Sequence, residues 1–198
     1  MMIRDPFALI ECDDGVRRPQ WANQPELMRE YFDSEWGQEV RDEAGVFERL
    51  MLEVFQSGLS WLTILRRREG IREVFEGFDI DVLAAWTDDD VERALLDERI
   101  IRNRLKVQAA RTNARAAVEL RSTYTDGVAG LMWEHAIPAK KAGTPLEKAR
   151  RLEIPVTTPA SDAAAKALKA RGFTFVGPVN VCAGMCAIGA IPVLTYGR

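Results

Sequence analysis

At 198 residues with 47% hydrophobic content, the chain is long enough to bury a core as one domain or two lobes. No run of eighteen apolar residues and no basic-then-apolar leader with a small-residue cleavage site occurs, so a soluble, non-secreted, cytoplasmic protein without a membrane partner is expected. The net charge of −3 hides an asymmetry: residues 1–98 hold 11 Lys+Arg against 24 Asp+Glu, a balance of −13, and residues 99–198 hold 16 against 6, a balance of +10. A basic half is the footprint expected of a polyanionic partner, against the plainer reading that basic helices merely lie on the outside. The three cysteines, Cys12, Cys182 and Cys186, are too few for a disulfide scaffold and are expected as free thiols.

Residues 1–20 are polar, acidic and weakly patterned, and are expected as a weakly ordered arm before one domain over 21–198. From Pro25, PELMREYFDSEW reads as a helix ending near Gly37. DEAGVFERLMLEVFQSG follows, with Val46, Leu50, Val54 and Phe47, Met51, Phe55 at helical spacing, and Gly58 stops it. Ser60 is placed to cap the next helix, WLTILRRREGIREVFEGF. IDVLAAW and TDDDVERALLD predict two short helices, the second capped by Thr87 with three aspartates in its first turn. IIRNRLKVQAARTNARAAVELR predicts a long basic helix. The polar stretch at 138–158 is a connection and a candidate lobe boundary, with a short helix expected around PLEKARRL. SDAAAKALKARG and an apolar helix from Pro178 close the chain. Strand-like alternation and internal repeats are both missing, so the fold class is all-α.

Two segments carry chemistry. In ALKARGFTFVGPVNV one helix ends at Gly172, and Gly177 and Pro178 open the next. Backbone N–H groups at the second helix's N-terminus, with Lys169 and Arg171 close by, would suit a phosphate oxygen. The segment (about 161–190) therefore resembles a helix-hairpin-helix DNA-binding element; an ordinary αα-corner with Phe173 and Phe175 as core plugs is the competing reading. The other segment is LEVFQSGLSW, which sets a single acid, Glu53, in an oily helix one turn before a glycine break and a tryptophan.

YFDSEWG, LEVFQSGLSW, RIIRNRLKVQAARTNARA and KALKARGFTFVGP occur in the order of the type I 3-methyladenine DNA glycosylases, and the chain resembles that family over roughly residues 20–190. The resemblance implies two helical lobes with a lesion pocket between them, and double-stranded DNA containing alkylated bases as partner. It implies a monofunctional hydrolase of base excision repair that flips out 3-methyladenine or a related alkylated purine and cuts its N-glycosidic bond. The lesion is cationic and a good leaving group, so recognition and charge stabilisation remain for the protein. On that resemblance Glu53 is the catalytic acid that accepts hydrogen bonds from the base, and Tyr31 and Trp61 are stacking walls. Trp36 and Trp21 are further pocket candidates, with core packing as their alternative. Neither a cofactor, an obligate protein partner nor a lysine nucleophile is implied.

The chain also departs from the family. The family's zinc site uses an N-terminal Cys, a His after the pocket tyrosine and a C-terminal Cys pair. Here Phe32 follows Tyr31, no Cys lies near Trp21, the chain ends LTYGR, and the single histidine is His135, so no metal is expected. Three residues before Tyr31, where another aromatic often stands, is Met28. The family's Tyr-Ser-Phe-Met-Gln-Ala run and its following Val-Asn-Asp-His are replaced by CAGMCAIGAIP. The competing readings are a catalytically weak or inactive DNA-binding relative and an all-α protein-interaction module.

Overall fold

The computed structural model describes residues 5–138 and 151–192. Its first elements are two short antiparallel strands, β1 (Leu9–Glu11) and β2 (Arg17–Pro19), followed by ten helices among the described residues. These are α1 (Gln20–Asn23), α2 (Glu26–Ser34), α3 (Glu43–Gln56), α4 (Trp61–Val74), α5 (Ile80–Ala85), α6 (Asp88–Leu96), α7 (Arg104–Leu120), α8 (Gly127–Glu134), α9 (Pro159–Ala170) and α10 (Pro178–Ala187). The fold is all-α apart from that hairpin.

Where the sequence supplied a cap, the helix starts there. Ser60 accepts from the Thr63 N–H at the head of α4, and Thr87 and Asp90 form a capping box on α6. The spine is α3, on which Val46, Phe47, Leu50, Met51, Leu52, Val54 and Phe55 are all buried. A helix apolar on every side belongs inside, and α3 packs against α4, α7, α8 and α10. Its C-terminus is closed by Lys106, whose buried ammonium donates to the Phe55 carbonyl at 2.9 Å and the Ser57 carbonyl at 2.6 Å.

Three expectations are revised. Residues 9–19 are not a loose arm but the hairpin, with Leu9 and Cys12 buried and a buried Arg18 paired to Asp33 of α2 at 2.6 Å. Helix α8 has no counterpart among the expected elements. The charge asymmetry is partly internal: Arg111 of α7 pairs with Asp88 at 2.8 Å, Arg121 with Asp81 at 2.8 Å, and Arg104 with Glu92. Arg99 and Arg151 pair across the two halves as well, whereas Lys106, Arg115 and Arg171 donate to carbonyls, and Arg102, Lys166 and Lys169 have no hydrogen-bond or ion-pair partner among the described residues. The short helix expected around PLEKARRL lies outside the described residues except for Arg151 and Leu152, and Arg151 is extended and bridges to Ala8.

Candidate active site

Three helices bring the principal residues together: Tyr31 from α2, Glu53 from α3 and Trp61 at the first position of α4. One ionic cluster locks these helices in place. The Arg68 guanidinium of α4, 7% exposed, meets Glu35 at the end of α2 at 2.6 Å and Glu48 of α3 at 3.1 Å. Arg72 adds a second contact to Glu48 at 2.8 Å. Paired and shielded charges of this kind hold register between helices, because moving one helix would strand a desolvated ion.

Beside this cluster opens a cleft of about 470 Å³, whose lining includes Trp21, Met28, Tyr31, Trp36, Glu53 and Trp61. Glu53 and the four aromatic residues singled out in the sequence thus share one cavity. The Tyr31 and Trp61 rings are 5.2 Å apart and tilted by 49°, and Trp21 and Trp36 meet edge to face at 5.6 Å. Met28, Tyr31 and Leu65 form an apolar cluster separate from the main core, and Trp21, Trp36, Trp61 and Leu62 pack on it. Trp21 and Trp36 therefore both pack and line the cleft. Ala183 and Cys186, from the CAGMCA segment, also line it, and a Cβ on Gly184 would lie 4.0 Å from the Glu53 side chain. Small residues on α10 leave room around the acid.

Glu53 is 8% exposed, which overturns a plain solvent-facing helix position. No donor reaches its carboxyl among the described residues, and burial pushes its pKa up to about 8. At neutral pH the acid is mostly protonated, and a cation entering the cleft would draw out its charged form. Burial, reinforced by the Glu53 charge, pushes the Tyr31 phenol far above its ordinary range, so its O–H stays on. The Trp61 indole N–H is buried with no acceptor among the described residues. An unpaired carboxyl among aromatic faces on one cleft suits a flat ligand with a polar edge.

The family model for methyladenine glycosylase matches residues 21–193, nearly the whole of the helical domain. The chain belongs to the methyladenine glycosylase family. It is 40% identical over 178 residues to DNA-3-methyladenine glycosylase 1 of Escherichia coli (strain K12), covering 89% of this chain and 92% of that protein. Among solved structures, a 3-methyladenine DNA glycosylase I superposes with a TM-score of 0.77 at 39% identity, covering 92% of this chain and 94% of the other. Another, solved in complex with 3-methyladenine, gives a TM-score of 0.77 at 25% identity and covers 95% of each chain.

Within this glycosylase fold, Lys169, Arg171, Gly172 and Gly177 stand together at the α9–α10 turn and none of them lines the cleft. Gly172 has φ of 88°, which only glycine adopts freely, whereas Gly177 has an ordinary φ of −68° and a Cβ there would meet open space. The α10 N-terminus has no side-chain cap. Phe173 is buried, but Phe175 is 39% exposed at φ of 58°, so only the first of the two is a core plug. Asn113 of α7, fully buried, pins the turn by accepting from the Thr174 N–H at 2.7 Å and donating to its carbonyl at 3.1 Å. Lys169 is exposed, while Arg171 stacks over Tyr124 at 5.4 Å and donates to the Ala167 carbonyl at 3.2 Å.

The residues present do not fit the zinc site of the family. Phe32, in the place of the ligand histidine, is buried and stacked on Trp36 at 5.7 Å and edge-on to Trp21 at 5.4 Å. The Cys182 thiol donates to the Pro155 carbonyl at 3.4 Å, and no group of three metal-ligating side chains gathers among the described residues. Three residues of the cleft had no signal in the sequence: Pro6, Phe7 and Ile154. No helix of the described residues is long and apolar enough to cross a membrane.

Proposed function

We propose that this glycosylase removes 3-methyladenine, or a closely related alkylated purine, from duplex DNA and leaves an abasic site in base excision repair. The observation that carries the reading is the single unpaired carboxyl of Glu53 buried inside an aromatic cleft. An alkylated purine is flat, cationic and rich in N–H donors, and each property has a counterpart. Tyr31 and Trp61, with Trp36 and Trp21 behind them, offer faces for stacking at about 1–3 kcal/mol per base. Glu53 accepts from the base edge, and the cation holds it in its carboxylate form. An ordinary adenine in the same place carries no positive charge and leaves Glu53 protonated, so the cleft selects by charge as well as shape.

Bond cleavage makes the sugar cationic while water supplies the hydroxyl at C1′, and the neutral base departs. Charge on Glu53 stabilises the developing cation. No lysine is among the described residues lining the cleft, which supports hydrolysis without a Schiff base and therefore without strand cleavage. The α9–α10 turn is proposed as a helix-hairpin-helix element that holds the duplex by its phosphates, with Lys169, Arg171 and the backbone at Gly172 and Gly177 as the contacts. A DNA substrate and three free thiols fit a reducing, cytoplasmic setting. Incubating the protein with methylated duplex and separating released bases by chromatography tests the reading: 3-methyladenine should appear. Tight duplex binding with no released base would establish the binding-only alternative.

A further inference from the structure

The family match begins at residue 21, yet residues ahead of it reach the cleft. The Trp21 N–H donates to the Pro6 carbonyl at 3.0 Å and the Gln20 N–H to the Ala8 carbonyl at 2.9 Å, which folds the segment back on the start of the family domain. On its other side the Leu152 N–H donates to the Phe7 carbonyl at 2.8 Å, and Ala8 bridges to Arg151. The Arg151 guanidinium lies over the Phe7 ring at 5.5 Å and pairs with Asp5 at 2.7 Å. Farther along, the buried Arg18 pairs with the partly exposed Asp33 and fastens β2 to α2. Phe7 is therefore a half-buried aromatic side chain on the cleft, with its backbone bonded on one side and its ring covered by a cation.

We propose that Phe7, seated by its contacts with Arg151 and Leu152, is a specificity-determining residue that limits the size of the alkyl substituent the cleft admits. The inference rests on the reading of the cleft as an alkylpurine site. Glu53 is the group that engages the polar edge of the base. Phe7, Pro6 and Ile154 offer only apolar volume, and apolar walls discriminate ligands by the methylenes they can or cannot hold. A ring bonded into place on two sides cannot withdraw to accommodate a longer chain. Phe7 and Pro6 come from the segment ahead of the family-model match and Ile154 from within it.

The test compares binding of free 3-methyladenine and free 3-propyladenine, followed by tryptophan fluorescence, in wild type, Phe7→Ala and Phe7→Trp. Melting temperatures are recorded for each, with Phe7→Leu as a gentler variant should Phe7→Ala fold poorly. The ratio of propyl to methyl affinity should rise about tenfold in Phe7→Ala, rise less in Phe7→Leu and fall in Phe7→Trp. A ratio unchanged in the folded variants, with wild type still binding 3-methyladenine, overturns the role of Phe7 and leaves the site reading intact. Wild-type protein that binds neither base overturns both.

Discussion

Glu53 sits where most helices would place a leucine, and the cost should be measurable without any substrate. Its pKa in the folded protein is about 8, above the 4.5 of an ordinary glutamate, because burial disfavours the charged form. The folded state keeps the proton that the unfolded chain releases above pH 4.5. Stability is therefore full below that pH and falls as pH rises toward about 8, by about 1.4 kcal/mol for each pH unit. Glu53→Gln, which never ionises, should melt within a degree or two of wild type at pH 5 and several degrees above it at pH 8.5. Equal melting temperatures at both pH values would mean that Glu53 titrates as a solvated acid. At the same scale, the glutamate was visible in the sequence as the lone charge in an apolar helix, and the resemblance gave it a role. The wall made by Phe7 and Ile154 was not visible, because it depends on backbone bonds between segments from opposite ends of the chain.

Helices α2, α3 and α4 each contribute one residue to the cleft, and Arg68 is what they share. Arg68→Ala would leave Glu35 and Glu48 facing each other without their shielded counter-charge, with Arg72 and Arg49 only partly replacing it. A loss of about 3 kcal/mol in urea unfolding is expected, with base release falling further than the residual folded fraction explains. A loss below 0.5 kcal/mol, on the order typical of exposed pairs, would show the cluster to be solvent-screened. Most elements were legible: α4 and α6 announce their starts through Ser60 and Thr87, and α3 through its spacing. Two were not. GVAGLMWE is apolar on all sides and its N-cap residue, Asp126, makes no side-chain cap bond, so α8 lacks both a stripe and a start signal. The hairpin strands are three residues each, too short to show alternation, and the Arg18–Asp33 pair that anchors them is a tertiary contact.

Across the whole molecule part of the division of charge goes into internal pairing, so duplex affinity should depend on the cations left free and on the α9–α10 turn. Lys169→Ala should weaken intact and lesioned duplex about equally and reduce the salt slope by about one phosphate contact. Gly177→Ala is informative because φ is ordinary and the added methyl meets no atom of the protein. It should cost about 0.5–1 kcal/mol as a weaker N-cap while lowering duplex affinity severalfold, because the methyl stands where a phosphate would approach. Both variants binding intact duplex like wild type would make the turn a structural corner and move the DNA elsewhere on the surface.

The central claim is that a buried carboxyl in an aromatic cleft recognises a cationic base, and single-turnover release of 3-methyladenine from methylated duplex addresses it most directly. Wild type should release the base, and Glu53→Gln should do so about ten to a hundred times more slowly while binding intact duplex as before, since a lost charge-assisted hydrogen bond is worth about 1.5–3 kcal/mol. Release at the wild-type rate by a folded Glu53→Gln protein would contradict the account.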